Sequence, residues 1–567
     1  MTATEPFNQP PPRLGNQYDD DLPLRAMLQR LLPPDVLTDV EPELREMGEL
    51  AGGSLYAQQL REWDLEPRLV RWGPWGERID RLETTPLWER ARRLAAERGV
   101  LATAYERRHG PYARVHQYAL AYLYIPSTEI FGCPLAMSDG AARTLLEHGT
   151  DRALVERAVA RLTSRDPEEA WTSGQWMTES TGGSDVGTSE SAARRGPDGT
   201  WRLWGRKWFV SAVTAEMALV LARPEGNGPG GDGLAVFYVE TGARDGWTEG
   251  MRIERLKDKL GTRKLPTAEV WLEGMPARLV GEPAHGTRTI ATMLNVTRTW
   301  NAVTASAYMR RGVALARDYA RRRTAFGAPL ADKPLHLDAL AWAQAEQYGA
   351  LQLAFEVALR WGRIEAGEAD DVDRAIARLL TPVAKLWTAR QGVAVASECL
   401  EAFGGAGIVE DTGLPVLLRD TQIFAIWEGT TNVLSLDTLR ALGRSAAPLE
   451  AFGAFVRECV ADADGEALAA AGRTALELTE RATAWLGDAR RQGPEALEGG
   501  ARRFAVAIGR AAEIALLVRQ AAFDAERGLP PLARAAALRL AEHDPWAVGT
   551  PASGDTRLLA LAGRAEE

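Results

Sequence analysis

Cysteine is nearly absent. Cys133, Cys399 and Cys459 are the only three in 567 residues, too few and too scattered for a disulfide framework or a cysteine-rich metal site. Histidine is also scarce, six in all, and no two stand in a His-x-x-x-His pair, so no metal is expected. No apolar run approaches the roughly 20 residues that cross a bilayer. The N-terminal residues lack a basic start followed by an apolar block, so the expected setting is the cytoplasm, with no membrane association. Lysine is missing from residue 451 onward, where 14 Arg stand against 17 acidic residues. The whole chain carries a formal charge of −10, which excludes a surface built throughout to hold nucleic acid and leaves room for a local basic patch.

What is present is apolar content of 46%, ample for a large core, in a chain long enough for several domains. Residues 1–23 form an arm rich in proline and acid, with Pro10, Pro11 and Pro12 followed by Asp19, Asp20 and Asp21, and no regular helix is expected there. Residues 24–167 read as a helical domain: Leu24, Leu28, Leu31 and Leu32 share one face, and Trp88, Ala91, Leu94 and Ala95 share another. Over 168–284 the character changes to short runs of aromatic and β-branched residues, such as Leu234 to Val239. Turn-forming pieces such as Pro197-Asp198-Gly199 separate them, which predicts a compact β domain. Long helical patterns return over 285–444, where Leu337, Leu340, Tyr348, Leu351, Phe355 and Leu359 lie near one face and Ile376, Leu380, Val383 and Trp387 mark another helix. After a Ser/Ala/Pro break, 445–567 is an additional helical region rich in Ala and Arg.

The stretch Ile426 to Asn432 carries the most chemistry. Gly429 permits a sharp turn, Thr430 or Thr431 can cap a helix, and Val433, Leu434, Leu436, Leu439 and Leu442 repeat at helical spacing. Glu428 therefore stands just ahead of a helix N-terminus, an end suited to phosphate or pyrophosphate. A capped helix with a solvated Glu is the plainer reading of the heptapeptide alone. Met177 to Val186 offers hydroxyls and glycines for close approach to a polar planar ring, Lys207 to Ser211 is a strand with aromatics and a hydroxyl, and Arg321 to Gly327 ends a long helix with guanidinium groups. Taken singly, these are a surface loop, a buried strand and dipole complementation. Gly404-Gly405-Ala406-Gly407 follows a helix instead of opening one after a strand, so it is no dinucleotide fingerprint.

Taken together, the segments resemble the acyl-CoA dehydrogenase family over about residues 100–443. The resemblance lies in Met177-Thr178-Glu179 with Gly183-Ser184-Asp185, Lys259 to Arg263 with Thr267 to Val270, Arg323 to Gly327, Phe403 to Gly407, Arg419-Asp420 and Trp427 to Thr430. The N-terminal arm, Arg255 to Gly261, Ile426 to Gly429 and the extra C-terminal region are similar to the AidB-like, alkylation-response branch.

The resemblance implies an α+β fold: an N-terminal helical domain, a middle β-barrel domain, a C-terminal four-helix bundle and an extra C-terminal helical region. It implies FAD, with Met177, Thr178, Gly183, Ser184, Phe209, Ser211, Trp427, Thr430 and Asn432 as cofactor contacts and Arg323 and Phe326 reaching the FAD of a partner subunit. Whether Phe209 or Trp208 packs on the ring stays open. Glu428 aligns with the base that takes the α-proton of an acyl-CoA thioester while the β-hydrogen leaves as hydride to flavin N5. Asn295 and Arg298 are expected on the substrate side. Some members carry the base on an earlier helix, and that position here is Thr297, which cannot serve. The implied partners are an electron acceptor such as an electron-transfer flavoprotein and further copies of the chain, as dimer or tetramer. The alternative is a flavoprotein of the DNA-damage response that binds DNA through its C-terminal region, with weak or vestigial dehydrogenation. The lysine-free, net-acidic C-terminal region speaks against strong DNA binding.

Overall fold

Asp21 accepts the N–H of Leu24 and Pro23 stands in the first turn, so the chain becomes helical at Leu22. The computed structural model describes residues 9–244, 246–443, 447–542 and 553–562; Phe7 and Asn8 of the arm and Ser445 and Ala446 of the break lie outside them. The N-terminal helices are α1 (Leu22–Leu31), α2 (Pro34–Gly52), α3 (Ser54–Arg61), α4 (Pro86–Glu97), α5 (Ala102–Glu106), α6 (Ala113–Tyr124), α7 (Gly132–His148) and α8 (Arg152–Leu162). Every residue of α6 is buried, as its density of aromatics requires.

The domain is not helical throughout. An antiparallel hairpin, β1 (Arg68–Trp72) and β2 (Arg78–Glu83), stands between α3 and α4. Of its apolar side chains, Leu69 and Leu82 pack against the interior of the β domain, and Arg78 donates to the Ile253 carbonyl across that boundary. The strands are short and rich in arginine, so their alternation carries little signal in the sequence.

The middle domain comprises β3 (Ser173–Trp176), β4 (Ala192–Arg195), β5 (Trp201–Ser211), β6 (Met217–Pro224), β7 (Ala235–Glu240), β8 (Met251–Leu256) and β9 (Thr267–Val280). The order β6-β4-β5-β9-β7 closes through pairing of β7 with β6, while β3 adds parallel to β6 and β8 antiparallel to β9. Closure removes free edges. Leu203, Val210, Val220, Phe237, Val270 and Leu272 fill the interior.

Three long helices follow: α9 (Gly286–Arg322), α10 (Pro334–Ala366) and α11 (Asp371–Glu401), which accommodates Pro382 within its length. The shorter α12 (Pro415–Phe424) and α13 (Thr431–Leu442) pack on α11. The C-terminal region is α14 (Ala447–Val460), α15 (Glu466–Gln492), α16 (Pro494–Arg527), α17 (Leu532–Glu542) and α18 (Ser553–Leu561). It docks on the bundle through α16: Arg510 pairs with Glu346 at 2.7 Å and Trp387 donates to Glu513 at 2.9 Å. The arm crosses the far end of α9, where the Arg13 N–H donates to Asp318 and Arg322 donates to the Pro11 carbonyl. No helix among the described residues is long and apolar enough to cross a membrane.

Candidate functional site

Glu428 lies in the turn between α12 and α13 with φ +57°, followed by Gly429 at φ +107°, so two consecutive residues hold left-handed backbone. For a residue with a Cβ this conformation costs about 1–3 kcal/mol and persists only where its surroundings over-determine it. Those surroundings are visible. Thr297 Oγ1 on α9 donates to Glu428 Oε2 at 2.9 Å, and Gln175 Nε2 on β3 donates to the same oxygen at 3.2 Å. The backbone is held as well: Arg298 Nε donates to the Glu428 carbonyl at 3.2 Å, and Lys385 Nζ on α11 donates to the Gly429 carbonyl at 2.7 Å. Arg298 is anchored in turn on Asp437 of α13 at 2.8 Å. Thr430 caps α13 by accepting the Val433 N–H, and Trp427 donates its indole N–H to Asn301, one turn beyond Thr297.

The electrostatics around this turn are those of a partly dry cleft. Burial pushes Lys385 down to about 7, with the Glu428 carboxylate opposing that fall and Arg298 adding to it. Burial lowers Lys259 to about 8, and the same cause, with Glu428 in support, pushes the Cys133 thiol up. Lys259 spends its ammonium on the Leu265 carbonyl and on Thr267, whose hydroxyl also meets Ser211.

The loop from Met177 to Ser184 is fastened from below. Glu179, buried, pairs at 2.6 Å with Lys207, which is fully buried in β5, and it accepts the N–H groups of Glu190 and Ser191. This pins the loop base while Gly183 and Ser184 remain exposed at its tip. On β5, Trp208 has Lys257 over its ring at 3.6 Å and Arg206 at 4.9 Å, whereas Phe209 is 46% exposed. Phe209 is thus the more open of the two rings.

The structure therefore gathers Glu428, Trp427, Thr430, Arg298 and Met177 around one turn, with Gln175 as the link between loop and base. Asn295 shares the face of α9 that carries Arg298, and Asn432 is exposed in the first turn of α13. Arg323 and Phe326 are not brought there. Arg298 and Arg322 stand about 36 Å apart along α9 at 1.5 Å per residue. Beyond the helix, Phe326 is 98% exposed at the tip of a two-residue hairpin turn between Thr324–Ala325 and Ala328–Pro329. Sequence reasoning missed Gln175, Asn301, Asp437 and Lys385. Only Lys385 left a signal, as a lone cation inside the apolar run from Leu379 to Trp387.

The residues fit a flavin. Phe209 offers a half-exposed ring with Lys257 over it at 4.4 Å, Thr178, Ser184 and Ser211 offer hydroxyls, and the buried Gln175 Oε1, beside Met177 and Glu428, has no hydrogen-bond partner. An orphaned acceptor of this kind calls for a donor.

Helical domain, closed β domain and helical bundle, with one carboxylate held on a strained turn where they meet, define a class: dehydrogenases of the acyl-thioester type. The comparisons agree. Residues 284–443 match the acyl-CoA dehydrogenase C-terminal domain, 174–275 its middle domain, and 8–168 the adaptive response protein AidB N-terminal domain. Acyl-CoA dehydrogenase family member 11 of Caenorhabditis elegans is 41% identical over 91% of this chain and 86% of its own. AidB of Escherichia coli (strain K12) is 33% identical over 67% of this chain and 70% of its own. The crystal structure of Caenorhabditis elegans ACDH-11 in complex with C11-CoA superposes with a TM-score of 0.92 at 38% identity, covering 96% of this chain and 94% of that one. The chain belongs to the acyl-CoA dehydrogenase family. Membership makes it an oxidoreductase acting on CH–CH groups, with FAD as cofactor.

Proposed function

We propose that the protein desaturates an acyl-CoA thioester between its α and β carbons, with Glu428 as the base. The observation that carries this reading is the aim of Glu428: a carboxylate on a left-handed turn, held by Thr297 from the bundle and Gln175 from the β domain. Bound FAD supplies the acceptor for the β-hydrogen, taken as hydride. The chain's residues do the rest. Glu428 removes the α-proton, and the same turn offers backbone N–H groups to a thioester oxygen that gains charge as the proton leaves. The surrounding buried residues exclude water, which strengthens those interactions. Asn295 and Arg298 stand on the face of α9 toward the turn, where Arg298 holds the turn's backbone. The relative solved with C11-CoA supports an acyl-CoA as substrate.

Electrons then leave to an acceptor such as an electron-transfer flavoprotein. A homo-oligomer, dimer or tetramer, accounts for Arg323 and Phe326, which a single chain leaves far from Glu428 and which fit a partner subunit's FAD. The DNA-damage alternative gains little from the C-terminal region. Among its arginines, Arg510 and Arg539 turn to Glu346 and Asp338 of the bundle.

The test is anaerobic titration of the purified flavoprotein with acyl-CoAs of graded length. Bleaching of the flavin absorbance by at least one of them, lost by about 10²–10⁴-fold in rate in Glu428→Gln, is the expected result. Full activity of Glu428→Gln, or a flavin that no acyl-CoA reduces, would overturn the reading.

A further inference from the structure

We propose that Lys385 is a positioning residue for the base: its ammonium, 2.7 Å from the Gly429 carbonyl oxygen, fastens the left-handed turn that aims Glu428. The inference rests on the dehydrogenase reading above and deepens it.

Lys385 is fully buried on α11, among Leu380, Val383, Ala384 and Leu386. Its hydrogen bond goes to a carbonyl, and among the described residues no carboxylate forms an ion pair with it. Burying an ammonium on a neutral acceptor is expensive, and an apolar side chain of the same length would suit this core better on stability grounds alone. What the ammonium does is local. Glu428 and Gly429 both hold positive φ, and their two carbonyls accept from two cations on different helices, Arg298 of α9 and Lys385 of α11. Thr297 and Gln175 set the direction of the carboxylate. Side chain and backbone of one residue pair are thus tied from three elements. Arg298 has a carboxylate of its own in Asp437, whereas Lys385 has only the turn. The charged groups that act on it, Glu428 and Arg298, are both members of the same cluster.

Lys385→Met in the full-length holoenzyme removes both the hydrogen bond and the charge, and Lys385→Gln keeps an N–H donor without the charge. Both are compared with wild type in three measurements. The first is the crystal structure of each variant, read at the Glu428 backbone and carboxylate. The second is steady-state kcat and KM with an acyl-CoA that wild type oxidises. The third is binding of a 3-thia-acyl-CoA, which can lose its α-proton but has no β-hydrogen to give, so the long-wavelength absorbance of its enolate against oxidised flavin reports the proton step alone. In Lys385→Met, Glu428 is expected to leave left-handed backbone, kcat to fall about ten- to hundredfold with KM within about threefold, and the enolate band to weaken, at unchanged FAD content. Lys385→Gln recovers part of kcat. The proposal is overturned if Lys385→Met keeps the turn, kcat and enolate band of wild type, or if it loses FAD and thermal stability while the protein that remains loaded turns over normally. Should Lys385→Met not fold, Lys385→Gln decides by the same measurements. If no acyl-CoA reduces the wild-type flavin, the dehydrogenase reading fails by itself, and the crystal structures still decide whether Lys385 holds the turn.

Discussion

Glu428 takes its aim from side chains far away in the chain: Thr297 is 131 residues distant and Gln175 is 253. Thr297 shows how a position can lose one role and keep another. It cannot be a base, yet its hydroxyl donates to the base. Elsewhere the chain buries a second polar group, Glu129 with Lys264 at 3.0 Å, and Asp420 accepting the Thr262 N–H and the Tyr308 hydroxyl. Burial pushes Glu129 up to about 8 against the pull of Lys264, and Asp420 up to about 6 against its hydrogen bonds. Both groups therefore keep protons in the folded state that an unfolded chain, with ordinary values near 4, has already released. Their contribution to stability should be greatest at the acid end of this range. It should fall as pH rises from about 4 to 6 through Asp420 and onward to about 8 through Glu129. Urea melts at pH 5 and pH 8 check this, and Glu129→Gln should flatten the upper part of the decline.

At the scale of elements, the loop from Met177 to Ser184 depends on a pair that no motif advertises. Lys207 is fully buried in β5 and donates to the Leu221 carbonyl, and its partner Glu179 holds the loop base. Lys207→Met leaves that carboxylate buried and unpaired, a loss of about 3–5 kcal/mol by urea melt. FAD should dissociate faster as well, because the loop tip with Gly183 and Ser184 is freed. Much of this architecture was legible in the sequence. The long helices announce themselves because apolar stripes such as Leu337 to Leu359 sustain helical spacing over many turns, and the β domain, though not its closure, shows in aromatic and β-branched runs between glycine-rich turns. The hairpin of β1 and β2 was not legible, since its strands carry Arg68, Arg71, Arg78 and Arg81 and lean on another domain for their apolar cover. Glu428 was singled out by the family resemblance, since its turn and the helix after it read alone as a capped helix with a solvated Glu. Gln175 and Lys385 could not be, because what gives them meaning is contact across the fold.

At the scale of the whole molecule, the question is what the far end of α9 meets. Phe326 is almost wholly exposed on a two-residue turn with φ +49°, beside Arg323 and the arm that reaches Arg322. In the oligomer proposed above, this ring is the part of the chain that meets a partner subunit. Phe326→Asp should lower the oligomeric state measured by light scattering and loosen FAD, while urea stability of the single chain changes by less than about 0.5 kcal/mol, as for an exposed substitution. The C-terminal region behaves differently. Its helix α16 covers α10, α11 and α13, and its Ile508, Ala512, Ile514 and Leu516 belong to the same hydrophobic core as the bundle.

One rod, α9, carries Thr297 and Arg298 at one station and Arg322 about 36 Å further on. Each residue advances an α-helix by about 100°, so a single insertion between those stations would swing one end a quarter-turn and more relative to the other. Loops on this scaffold can lengthen freely over evolutionary time. This helix is a ruler whose graduations must be inherited whole.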